Sequence, residues 1–150
     1  MKFEKSCGAI VFHRFEDGIK FLILYRAPSE NFKESYDFSR GNVESEDKTE
    51  EQVARREIKE ETGITELDFY QFRQEIRLFY RFKGELIKKR IIYLLAETKQ
   101  EEVKLSFEHN DFRWLGYKDA FKLLTHKNAK DILTRANNFL KEGLKQKTLF

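Results

Sequence analysis

From Tyr70 to Phe82 the even positions read Tyr, Phe, Gln, Ile, Leu, Tyr, Phe, and the odd positions between them are mostly Arg, Gln and Glu. An alternation of period two over that length is a strand with one face covered and the other in solvent. The chain must therefore build a sheet and roof at least one side of it. After a turn around Lys83-Gly84-Glu85, the run "LIKKRIIYLLAET" predicts the antiparallel partner. "SCGAIVFHRF" and "IKFLILYR" are rich in β-branched and aromatic residues and are separated by Glu16-Asp17-Gly18, a hairpin signal. Neither alternates cleanly, so both are expected in a part of the sheet covered on two faces. "DFRWLGY" reads as a last strand.

Helices are signalled at three places. Thr49-x-x-Gln52 forms a capping box and Gly63 a C-terminal stop, which predicts a helix from about Glu50 to Thr62. "KDAFKLL" predicts a short helix. "NAKDILTRANNFLKEGL" places Ile132, Leu133, Ala136, Phe139 and Leu140 at helical spacing. "KQKTLF", from about 145 to 150, reads as a frayed tail. The fold class is α+β, arranged as an α/β/α sandwich around a central mixed sheet. At 150 residues, 40% apolar and with 15 Phe, the chain has the length for one domain, spanning 1–150, and for a packed core. "APSENFKES", with the single Pro28, is a long polar loop inside that domain.

Other classes are set aside by composition. The lone Cys7 excludes an internal disulfide framework. "MKFEKSCGAI" lacks a signal-peptide core, and no apolar run, "FLILY" included, is long enough for a bilayer. A soluble cytoplasmic protein without a membrane partner is expected. The net charge of +3 balances 29 basic against 26 acidic residues. That suits a polyanionic ligand at one local site, and no stable nucleic-acid partner is expected. Oligomeric state is left open.

The helix ending at Gly63 carries the chemistry. Glu57, Glu60 and Glu61 are three and four residues apart, so their side chains can converge near the terminus where the helix dipole disfavours anions. Two carboxylates about 5 Å apart at an effective dielectric of about 20 repel by roughly 3 kcal/mol. Arg56 cannot neutralise three acids, whereas a divalent cation can. Carboxylate oxygens without a neighbouring Cys or His point to magnesium, or manganese, and not zinc. Glu and Lys are also good helix formers, and the triplet alone fits a solvated face.

The flanks decide between these. Arg56-Glu57-Ile58-x-Glu60-Glu61-x-Gly63-Ile64 closely resembles the second half of the Nudix box, and Gly41 supplies its leading glycine. Counting forward from Gly41 places Asp47 at the first acidic position, and counting back from Arg56 places Lys48 there. The loop is one residue longer than the usual pattern, with Glu46 or Asp47 as the stand-in acid. Within the Nudix superfamily the chain is most similar to the asymmetrical diadenosine tetraphosphate hydrolases. "SCGAIVF", "YDFSRGNVE", "KKRIIYLLAE" and "LSFEHNDFRWLGYKDAFKLL" carry that likeness over nearly the whole length.

The resemblance implies magnesium-dependent cleavage of a nucleoside polyphosphate to ATP and AMP. Glu57, Glu60 and Glu61 match the metal-holding positions, Gly41 is assigned to the same site, and Glu108 matches a glutamate near it that completes a metal shell or assists as base. Arg56 matches the arginine that orients the acids, Lys89 a phosphate-binding lysine, and Arg40 stands where a lysine is common. Tyr80 and Phe82 share a strand face and are candidates for stacking a purine. Tyr93 falls on the side of Lys89 and is placed with them. His109 reads as a surface residue or a hydrogen-bonding support. Two rivals stand beside this: a Nudix enzyme acting on RNA 5′-triphosphate ends or nucleotide sugars, and a Nudix-fold module that binds nucleotide or RNA without cleaving it.

Overall fold

The computed structural model describes residues 1–148, with side chains described as far as residue 143. Strands β1 (Lys2–Phe15) and β2 (Gly18–Arg26) form the expected hairpin, but only from Phe12↔Phe21 to Phe15↔Gly18. Beyond that the two strands part. Along Lys2 to Phe12, β1 pairs in parallel with β6 (Glu85–Glu97), which pairs antiparallel with β5 (Asp68–Phe82). The other edge of β1 is taken by β4 (Ser39–Asn42), with Cys7 opposite Gly41. Leu24 and Tyr25 of β2 pair with both β3 (Ser35–Asp37) and β7 (Asp111–Leu115), so these flank β2 on opposite edges. The β3–β4 segment thus fills a V opened between β1 and β2.

Helix α1 (Glu50–Thr62) covers one face of this mixed sheet, and α2 (Tyr117–Leu123) and α3 (Lys127–Thr148) the other. Residue parity makes the division. Ile10 and Phe12, Phe21 and Ile23, Ile91 and Leu95 pack with Leu124, Ile132 and Leu133 from the α2–α3 side. Ala9, Val11, Leu22 and Leu24 pack with Ala54 and Ile58 of α1. Both faces of the central strands are roofed, which is why β1 and β2 carry continuous apolar runs. The α+β sandwich expected from the sequence is the fold observed.

Two differences concern short elements. β3 and β4 have three and four residues, with Asp37, Arg40 and Gly41 among them, too few and too polar to show a strand pattern. The capping box is shifted: Thr49 accepts from the Gln52 amide as expected, but the Gln52 side chain receives the amide of Lys48 and not that of Thr49. Helix α3 is assigned to Thr148; the frayed tail expected from about 145 falls where side chains, and at 149–150 the backbone too, lie outside the described residues. No described helix is long and apolar enough to cross a membrane. Removing the cap that starts α1 tests how much of the site's support is local: Thr49→Ala is expected to cost about 1 kcal/mol, read as a lowered denaturation midpoint with an unchanged folded spectrum.

Candidate active site

Helix α1 buries Val53, Ala54, Ile58, Glu61 and Thr62 against the sheet. That phase fans the three acids from floor to rim, because the inward stripe passes through Ile58 and Glu61. The Glu61 side chain is 4% exposed, that of Glu57 12% and that of Glu60 58%. Glu61 is held from two other elements: Ser39 Oγ of β4 donates to its Oε2 at 2.8 Å, and His109 Nε2 at 3.2 Å. A Cβ on Gly41 would overlap the Glu57 carboxylate, so only glycine lets β4 run this close to α1.

The last turn of α1 should expose carbonyls that repel these acids. It does so less than an isolated helix would. Gly63, at φ 75°, turns its amide back onto Lys59 O. Lys104 N donates to Thr62 O and Ser106 N to Glu61 O, tying the loop ahead of β7 onto the helix end. The same tether brings Glu108 and His109 alongside. Ligand atoms of Glu61, Glu108 and His109 all lie within 4.8 Å of one another.

Arg56 is the counter-charge. Its Nη1 donates to Glu57 Oε1 at 2.8 Å, its Nη2 to Asp47 Oδ2 at 2.8 Å and to Asn42 O at 3.1 Å, and Glu60 stands off at 3.7 Å. Of the two candidate stand-in acids, Asp47 and not Glu46 pairs with Arg56. The Arg56 guanidinium and the amide of Glu44 hold the Asp47 carboxyl below its ordinary range. Glu57 moves the opposite way: burial, then the neighbouring charge of Glu61, push it up to about 7 despite Arg56.

A cleft of about 820 Å³ opens from these acids along the β1–β6–β5 side of the sheet. Glu57, Glu60, Gly41 and Glu108 line one part of it, and Arg40, Lys89, Tyr80 and Phe82 another. Lys89 is lowered from its ordinary value by burial and by Arg40 beside it, so two cations share that region. Tyr80 donates to Glu4 at 3.0 Å. The Phe82 ring runs nearly parallel, at 11°, to that of Phe32, with centroids 6.1 Å apart.

Tyr93 corrects the sequence expectation. It is 2% exposed, edge-on to Phe38, and donates its hydroxyl to Asp37, which also pairs with Arg40 at 3.5 Å. Tyr93 supports Arg40 from behind and does not line the cleft. Sequence reasoning misses Phe32, Ser39 and Arg26 as site residues. Phe32 is an aromatic in a polar loop and 55% exposed, a visible oddity; Ser39 and Arg26 carry no local signal. His109 is the hydrogen-bonding support, with its side chain 10% exposed.

A NUDIX domain profile matches residues 4–136. The asymmetrical bis(5′-nucleosyl)-tetraphosphatase of Mus musculus is 33% identical over 147 residues, covering 91% of this chain and 95% of the mouse protein. Its Caenorhabditis elegans counterpart is 31% identical over 141 residues, covering 91% and 96%. The crystal structure of a C. elegans Ap4A hydrolase binary complex matches with a TM-score of 0.78 at 28% identity, over 93% of this chain and 98% of that one. With the matched span running from β1 through the carboxylate helix and the Glu108 loop into α3, the chain belongs to the NUDIX family.

Proposed function

We propose that this protein hydrolyses dinucleoside polyphosphates, taking diadenosine tetraphosphate to ATP and AMP, with magnesium, or manganese, held by Glu57, Glu60, Glu61 and Glu108. The observation that carries this is one continuous cleft joining a carboxylate cluster, a pair of cations and a pair of parallel aromatic rings. Such a cleft suits a substrate with a charged polyphosphate and a flat base. The mouse and C. elegans relatives support the same substrate class.

The residues fit a hard divalent cation. Glu57 is pushed up first by burial, which penalises its charged form, and then by the charge of Glu61, despite Arg56, and a bound cation would offset both. The donors are mostly carboxylate oxygens, with His109 alongside. When bound, the cation supplies neutralisation of phosphate charge and acidification of a water. The chain supplies positioning. Arg56, braced by Asp47 and Asn42 O, fixes the Glu57 carboxylate. Arg40 and Lys89 meet the phosphates, and Tyr93 and Asp37 hold Arg40 in place. Phe82 and the exposed Phe32 need only a small outward movement of Phe32 to admit a purine between them.

A substrate panel assayed with and without magnesium, with products identified, tests the assignment. ATP and AMP from diadenosine tetraphosphate are expected; preferred turnover of 5′-triphosphorylated RNA or of ADP-ribose would move the enzyme to another Nudix substrate. Glu60→Gln, at an exposed position, is expected to leave folding intact and to lower turnover by about two orders of magnitude; near-normal turnover would remove Glu60 from the metal site. With Glu57 near 7, metal-free protein at pH 7 holds a fraction of a proton there, and ion uptake releases it. Magnesium affinity should therefore rise from pH 6 to 8, with proton release seen calorimetrically in buffers of different ionisation enthalpy and abolished in Glu57→Gln. Phe32→Ala and Phe82→Ala are each expected to raise KM for the dinucleotide by about tenfold, with a smaller effect on kcat.

A further inference from the structure

Arg26 ends β2 on the cleft wall and takes none of the roles assigned to Arg40, Arg56 or Lys89. Its position is fixed by backbone on both sides. Asn110 N donates to Tyr25 O at 2.8 Å, and Ala27 N donates to Asn110 Oδ1 at 2.7 Å. These bonds staple the Glu108 loop beside Arg26, and Arg26 Nη2 lies 3.5 Å from Glu108 Oε2. Both side chains stay near half exposed, at 41% and 47%, so the pair is free to open. Glu108 is at the same time a member of the cluster with Glu61 and His109. Arg26 and a divalent cation therefore compete for the same carboxylate.

We infer that Arg26 is an exchangeable counter-ion: it occupies Glu108 while that carboxylate holds no divalent cation, and swings onto a substrate phosphate once one is held. The inference rests on the metal-dependent reading of the cleft. A guanidinium suits both partners, since its planar donors match a carboxylate and a phosphate equally well. A cation at Glu108 repels Arg26, and a polyphosphate threaded between Glu57 and Arg40 offers the nearest new anion on the cleft wall. Ion uptake and phosphate capture are coupled through one side chain.

Removing the guanidinium should then move two affinities in opposite directions, which a merely structural role would not do. In Arg26→Gln, manganese binding without nucleotide is expected to tighten by about two- to fivefold, the size of a partly exposed pair. Binding of an uncleavable methylene-bridged diadenosine tetraphosphate in the presence of manganese is expected to weaken by about tenfold. Arg26→Lys should restore part of that loss. In a Glu108→Gln background the effect of Arg26→Gln on manganese should vanish, because no shared ligand remains. Titration calorimetry, with manganese EPR for the free ion, reads all of these. Unchanged or weaker manganese binding in Arg26→Gln overturns the exchange, as does an effect that persists with Glu108→Gln, or a nucleotide affinity that does not fall. Failure of the wild type to take up manganese overturns the functional assignment itself, and this inference with it.

Discussion

The structure is organised around a carboxylate buried at the wrong end of a helix. Glu61 lies in the last turn of α1, where the dipole is unfavourable, and its side chain is almost entirely shielded from water. Burying an ion costs several kcal/mol unless its oxygens are satisfied. Two separate segments converge on it and satisfy them or quiet their surroundings. Ser39 comes from β4 and His109 from the loop before β7, while the amides of Lys104 and Ser106 cap the carbonyls beside the carboxylate.

That convergence explains the sheet's topology. Were β1 and β2 paired along their whole length, no strand could reach α1 from between them. Their early separation lets β3 and β4 enter the V, and β4 then carries Ser39, Arg40 and Gly41 past the helix in three successive residues. Alternation sends Ser39 and Gly41 toward Glu61 and Glu57, and Arg40 to the opposite face, where Asp37 and Tyr93 hold it. One short strand therefore sets the carboxylates on one side and the Arg40 cation of the cleft on the other.

What can be read from the sequence follows from what is local. The alternation of β5, the limits of α1 and the spacing of Glu57, Glu60 and Glu61 depend on neighbours a few residues away, and all are found as expected. Parity also places Lys89 and Tyr93 on one face of β6, correctly. It does not show how far along a strand the helix layer reaches. That layer, with Phe38, roofs Tyr93 and leaves Lys89 open to the cleft, which is why parity alone misplaces Tyr93. Ser39 with Glu61, Phe32 with Phe82 and Arg26 with Glu108 are pairings across long stretches of chain, and no periodicity encodes them.

The irregular loop before α1 shows what a motif's spacing stands for. The segment from Gly41 to Arg56 has one residue more than the usual pattern, so the forward count lands on Asp47 while the backward count lands on Lys48. The extra residue is taken up in a turn: Asp47 N donates to Glu44 O, and Glu44 N donates to Asp47 Oδ2. This delivers Asp47 onto Arg56 Nη2 at 2.8 Å, and Arg56 in turn onto Glu57. The requirement is a carboxylate bracing the guanidinium from the side away from the cleft, and a fixed residue count is only one way to meet it. A chain that can fold its surplus into a closed turn keeps the brace, and with it an ordered Glu57. A module that merely held nucleotide would have no use for so costly an arrangement of buried like charges, so the preserved brace favours catalysis over binding alone.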